Sequence, residues 1–325
     1  MRAEVERTKV RSGWPHRKTL LALGISPTSY YRWQRASLEE KRPTPVTLVQ
    51  AYEALEEEQE AVRQYALDHT ELRHRELAWR MIDEGVVCLS PSTVYRILRE
   101  AKLVCPWSRR KKRVRADAER AQHADARWGT DIMHLRIGSG QYYFVGFLDE
   151  YSRYLVHWEL LTSMDGASVS LAAEAALETL PRLPNGKLIC EPEIRSDNGS
   201  CFISREFREV LDRNGLLHQR IKPHCPEENG LVERGNRTWR EAFEELAPQN
   251  REEAEQALRK IAAWYNHRRL HRSLGYLRPV DYYRGDPERL HAERRTKLAA
   301  ARHHRRQHNL QLRQPTLALG ALTTT

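Results

Sequence analysis

The chain has 325 residues, with 54 Lys and Arg against 44 Asp and Glu, a formal net charge of +10 and a sequence pI near 9.5. Such a length admits more than one domain and a sizeable core, and such a charge favours association with a polyanion, most often nucleic acid. No run of apolar residues is long enough to span a bilayer, and the opening MRAEVERTKVRSGW has no apolar centre, which disfavours a membrane protein and a secreted one.

The first predicted elements lie in RKTLLALGISPTSYYRWQR, residues 17 to 35. A helix, a turn at Gly24 and a second helix opened by Ser26-Pro27 are expected, because a Ser hydroxyl caps an orphan amide and Pro has no amide to leave unpaired. The pattern recurs in HRELAWRMIDEG, a helix stopped by Gly85, and SPSTVYRILREAKL, a helix opened at Ser90-Pro91. Two short helices across a Gly-containing turn suit a helix-turn-helix whose second helix enters the major groove, although an ordinary helical hairpin has the same pattern. Residues 1–45 and 46–107 are accordingly expected to be two all-α helix-turn-helix modules. The DNA-facing candidates are Thr28, Ser29, Tyr31 and Arg32 in the first, and Ser92, Thr93, Arg96 and Arg99 in the second. Between them, Leu48, Tyr52, Leu55, Val62 and Ala66 form a partial helical stripe interrupted by the acidic run EEEQE.

A basic linker, residues 108–120, comes next. It contains SRRKKRVR, where Arg109, Arg110, Lys111, Lys112 and Arg113 suit contact with phosphate, or simply a solvated connection. RWGTDIMHLRI, QYYFVGFLDEY and RYLVHWELL then read as three strands, with a hairpin at Gly138-Ser139-Gly140. Alternation in the first strand puts Asp131 on the side of Met133, Leu135 and Ile137. A carboxylate there is costly unless paired or metal-bound. The second strand is almost wholly apolar, as for burial on both faces.

A helix over 166–180 places Val169, Ala173, Ala176 and Leu180 on one face, and KLICEPEIRSD is a strand that ends at Asp197. A helix capped by Ser204 and stopped by Gly215 follows, then a strand in GLLHQRIKP. The helix over 228–247 has Val232, Trp239, Phe243 and Leu246 on its packing side, and Asn229, Glu233, Arg237 and Arg240 on another stripe. An amphipathic helix over 250–265, the Arg- and His-rich HRRLHRSLGYLRP, which suits contact with phosphate or a basic surface loop, and a basic, helix-prone tail close the chain. The five cysteines, at 88, 105, 190, 201 and 225, have no CxxC spacing and are expected to be reduced thiols.

Asp131, Asp197 and Glu233, the last two separated by 35 residues, are a set of hard oxygen donors suited to Mg²⁺ or Mn²⁺. The segments WGTDI, LDEYSRY, RSDNGS and PEENGLVERGNR, in that order, resemble the catalytic core of bacterial insertion-sequence transposases in the retroviral-integrase superfamily. The closing YNHRRLHRSLGYLRP is similar to the segment that ends that core.

The resemblance implies an α/β ribonuclease H-like core over 121–285, built on a mixed five-stranded sheet with helices and followed by a basic tail over 286–325. It implies that Asp131, Asp197 and Glu233 are catalytic and hold two metal ions, with Asn198, Gly199 and Asn229 supporting the site. Arg237 and Arg240 would meet phosphate. The expected activity is metal-dependent cleavage and strand transfer of double-stranded DNA, by a homo-oligomer assembled on the element's ends in the bacterial cytoplasm, at the nucleoid. A DNA-binding regulator derived from a transposase, and a ribonuclease H-like nuclease without strand transfer, are the rival readings.

Overall fold

A computed structural model of the chain describes residues 2–38, 50–104, 120–222 and 229–313. It divides into two units, one of Met1–Glu53 with Arg305–Thr325 and one of Ala54–His304. In the first, α1 (Arg2–Ser12), α2 (His16–Ala22) and α3 (Pro27–Leu38) enclose a small core of Val5, Leu20 and Tyr30. Gly24, at φ +67°, makes the predicted turn. Helix α1 was not expected, because its charged sequence buries only Val5 in that core. Glu6 ties it to α3 by accepting the Tyr30 hydroxyl at 2.5 Å.

In the second unit, α4 (Glu56–Asp68), α5 (His74–Glu84) and α6 (Pro91–Glu100) share a core that includes Val62, Leu77, Met81, Val94 and Ile97. The acidic run opens α4 rather than interrupting a stripe. Glu56, Glu57 and Glu58 occupy its first turn, where the unpaired amides favour negative charge. Tyr52 lies before the helix and is exposed, and Leu48 falls outside the described residues. Gly85, at φ +74°, ends α5 as expected, and the Ser90 hydroxyl accepts the Thr93 amide to cap α6.

The sheet contains β1 (Arg127–Ile137), β2 (Gly140–Asp149), β3 (Leu155–Leu161), β4 (Glu193–Ser196) and β5 (His218–Arg220). Their order across the sheet is β3-β2-β1-β4-β5. The first three strands pair antiparallel, whereas β4 lies parallel to β1 and β5 parallel to β4. On one face, α7 (Gly166–Glu178) and α8 (Arg205–Arg213) pack through Val169, Phe207 and Leu211 against Val145 and Phe147. On the other, α9 (Gly230–Leu246) and α10 (Arg251–His267) pack through Trp239, Phe243 and Ile261 against Met133, Leu135 and Phe144. Strand β2 therefore feeds both cores, as its apolar sequence predicts. This mixed five-stranded sheet between helices, preceded by helices, is the expected α/β class.

One packing expectation fails. Leu246 is 51% exposed, because α9 ends there and Ala247 turns left-handed at φ +43°. Beyond α10 come a short turn, α11 (Pro279–Tyr283) and the long α12 (Pro287–Gln311), so the basic tail is helical as far as it is described. No described helix is long and apolar enough to cross a membrane.

Candidate active site

Asp131 stands within β1, opposite Gly146 of β2, on the side that faces α9. One carboxylate oxygen accepts the Ile132 amide and the other accepts Nδ2 of Asn236, both at 2.9 Å. Burial pushes this carboxyl up to about 6, and repulsion from Asp197 and Glu233 adds to the shift against those hydrogen bonds. The two other acids therefore act on Asp131 through space, although they are distant in sequence.

Asp197 follows β4 directly, and β4 is the parallel neighbour of β1. Its Oδ1 accepts the Gly199 amide at 2.9 Å, and a Cβ at position 199 would stand 3.0 Å from that oxygen. Glycine at 199 thus lets the backbone close around the carboxylate. The Asn198 side chain donates to the Ile221 carbonyl at 3.0 Å, which anchors the same turn to the segment after β5.

Glu233 is exposed in the first turn of α9. The helix lies so close to β1 that a Cβ at Gly129 would strike the Val232 side chain. Asn229, just before α9, is buried, and its Oδ1 has no hydrogen-bond partner among the described residues. Among the described residues no three His, Cys, Asp or Glu side chains stand together closely enough to hold a metal ion. Asp131 nonetheless feels the charge of Asp197 and Glu233, and Asn229 adds an unsatisfied amide oxygen at the start of α9.

Buried charged groups hold the strands that carry Asp131 and Asp197. Arg195 of β4 donates from Nη1 to both Glu150 oxygens, at 3.0 and 3.2 Å, and both residues are buried. Asp149 is fully buried and accepts the Ser152 amide at 2.7 Å and its hydroxyl at 2.5 Å. LDEYSRY and the first residue of RSDNGS are therefore framework around the site. Sequence reasoning also missed Asn236. Its signal was its position three residues after Glu233, one turn along the same helix side.

The candidate DNA contacts fall in several places. Arg32 is exposed on α3, and Arg96 and Arg99 are exposed on α6, opposite buried Val94, Ile97 and Leu98. Arg237 and Arg240 are exposed on α9, where Arg237 pairs with Glu241 at 3.5 Å and not with Glu233. Arg109, Arg110, Lys111, Lys112 and Arg113, and the loop residue His224, lie outside the described residues.

Not every basic residue of HRRLHRSLGYLRP is placed to meet phosphate. Burial, aided by Arg269 and Arg153, lowers His271 to about 3, so it is neutral and packs on Tyr265 with ring centroids 4.9 Å apart. Arg278 is paired with Asp281 at 2.6 Å. Leu274, Leu277 and Pro279 of this segment are buried, whereas His267, Arg268 and Arg272 are exposed.

Two Integrase core domain models match the chain, over residues 121–226 and 214–279. Transposase InsD for insertion element IS2A/D/F/H/I/K of Escherichia coli is 27% identical over 207 residues, covering 62% of this chain and 68% of that protein. These matches support an insertion-sequence transposase of the retroviral-integrase superfamily. Its integrase core contains Asp131 and Asp197 in the first matched segment and Glu233 in the second. The same core is also similar to solved structures. The HTLV-2 integrase catalytic core domain in complex with magnesium is 19% identical at a TM-score of 0.41, covering 50% of this chain and 99% of that one. A chain of the simian T-cell lymphotropic virus intasome in complex with PP2A regulatory subunit B56 gamma is 16% identical at a TM-score of 0.45, covering 69% and 74%.

Proposed function

We propose that this transposase cuts DNA at the ends of an insertion element and joins the freed 3′ ends to target DNA, with divalent cations held by Asp131, Asp197 and Glu233. The observation that carries the reading is Asp131 itself. It is a desolvated carboxylate on a strand, exposed to the charge of two further acids, and a hard cation would relieve that repulsion. The all-oxygen donor set fits Mg²⁺ or Mn²⁺. Two such ions supply Lewis-acid activation of the attacking oxygen and charge stabilisation of the departing one in an in-line displacement at phosphorus.

The chain's own residues do the positioning. Asn236 orients the Asp131 carboxylate, the Gly199 amide orients Asp197, and α9 presents Glu233. Asn229, with its unpaired Oδ1, supports the site at the helix start. Arg237 and Arg240 place positive charge beside it for the phosphate backbone. Water attacks first and a DNA 3′-hydroxyl attacks next, so no covalent enzyme intermediate is required. Residues 1–45 and 46–107 would read the element's ends as helix-turn-helix modules, with Arg32 on α3 and Arg96 and Arg99 on α6. The basic 108–120 linker would track phosphate, and a homo-oligomer would pair the two ends.

A labelled duplex bearing the element's end, incubated with Mn²⁺ or Mg²⁺, tests this. Wild type should give nicked and joined products, and Glu233→Gln should lose both while binding the duplex normally. Nicking without joining would identify a nuclease, and tight binding without cleavage would identify a regulator.

A further inference from the structure

The helices α4, α5 and α6 have their own apolar core, separate from the two clusters that pack the sheet. Apolar burial therefore holds the helical pair α5–α6 together without fixing it to the integrase core. Hydrogen bonds from α12 make that connection. Arg294 is only 3% exposed. Its Nε and Nη2 grip the two oxygens of Asp83, near the end of α5, at 2.7 and 2.6 Å. Its Nη1 donates to the Gly275 carbonyl at 3.0 Å and Nη2 to the Tyr276 carbonyl at 2.8 Å. The guanidinium also lies 5.0 Å from the Trp79 ring centroid, and Lys297 Nζ donates to the Ile82 carbonyl at 3.0 Å.

The receiving end of this clamp is a specialised turn. Gly275 and Tyr276 are successive left-handed residues, each at φ +61°, and a Cβ at 275 would meet His291 at 2.6 Å. A tyrosine in that region is unfavourable and persists only where its surroundings hold it. Here the turn points two successive carbonyls at one cation. A guanidinium suits the task because its planar fork matches a carboxylate and leaves donors for the carbonyls, which an ammonium does not.

We propose that Arg294 is a positioning residue that fixes the α5–α6 pair on the integrase core, so that a duplex held by α6 reaches Asp131, Asp197 and Glu233 at a set distance from the recognised sequence. The structural half of this proposal stands alone, and its functional half rests on the transposase reading.

Arg294→Met keeps most of the side-chain length and removes all four hydrogen bonds. Asp83→Asn weakens the same grip from the other side. Small-angle scattering from the DNA-free full chain tests the clamp without requiring activity. Both variants should broaden the interatomic distance distribution, and unchanged scattering would overturn the proposal. With DNA, both should bind the end duplex and nick plasmid in Mn²⁺ within about twofold of wild type. Cleavage at the element's end should fall at least about tenfold, and its position should spread over neighbouring nucleotides. Wild-type rate and position of end cleavage, or plasmid nicking lost in parallel with it, would also overturn the positioning role. Broadened scattering in a protein whose wild type never cuts DNA would remove the transposase reading and leave the clamp in place.

Discussion

Asp131 occupies a strand side otherwise lined by Met133, Leu135 and Ile137, and among the described residues a single side-chain donor, Asn236, holds it there. Removing that donor frees the carboxylate without adding bulk. Asn236→Ala should therefore reduce both single-turnover cleavage and Mn²⁺ affinity, measured by calorimetry, by about tenfold or more, as for other groups that orient a metal ligand. End-DNA binding should change little. The buried pair Glu150–Arg195 has a different role, joining the end of β2 to β4. Arg127 lies 3.8 Å from the same carboxylate, so breaking the Arg195 side leaves the charge only partly compensated. Arg195→Met should cost less in urea unfolding than the roughly 3–5 kcal/mol of a wholly broken buried pair, and adding Glu150→Gln should recover part of it.

At the scale of elements, the placement of Glu233 depends on how closely α9 lies on β1. Gly129 permits that approach, since any Cβ there would strike Val232. Gly129→Ala should cost about 1–3 kcal/mol through overpacking and should reduce cleavage, because the displaced helix carries Glu233. Val232→Ala in the same chain should restore part of both, as read by thermal unfolding and the nicking assay. Failure of the second change to restore anything would separate Gly129 from α9. The ends of the helices were legible from local chemistry. Ser90 and Ser204 each accept an amide of the first turn, and Gly85 and Gly215 adopt positive φ just beyond a helix. Helix α1 was not legible, because one buried valine gives no periodic signal.

For the whole molecule, the formal charge of +10 favours a salt-sensitive association with DNA. Arg96 and Arg99 are exposed on α6, so each can neutralise a phosphate or reach a base. If both contact phosphate, replacing both with Ala should reduce the slope of log affinity against log salt by about 2, since each neutralised phosphate contributes about 0.9. A loss of affinity with the slope unchanged would instead assign these side chains to base edges. Titration of end duplex and scrambled duplex over a range of salt concentrations distinguishes the two cases.

The sequence by itself determined the order of strands and helices in the sheet domain, the caps at Ser90 and Ser204, the two-sided burial of β2 and the three acids worth examining. These depend on spacing within a few residues, on turn chemistry and on motif order, all of which are local. Tertiary structure alone decided that β4 pairs with β1, where Arg127 meets Glu193, and so brought Asp197 beside Asp131. It also turned His271 from a supposed cationic contact into a neutral core ring, and Arg294 from one more basic tail residue into a buried clamp on Asp83. The reason is the same in each case. A side chain's charge and role are set by which distant groups desolvate or pair with it, and residues close in sequence carry no record of that.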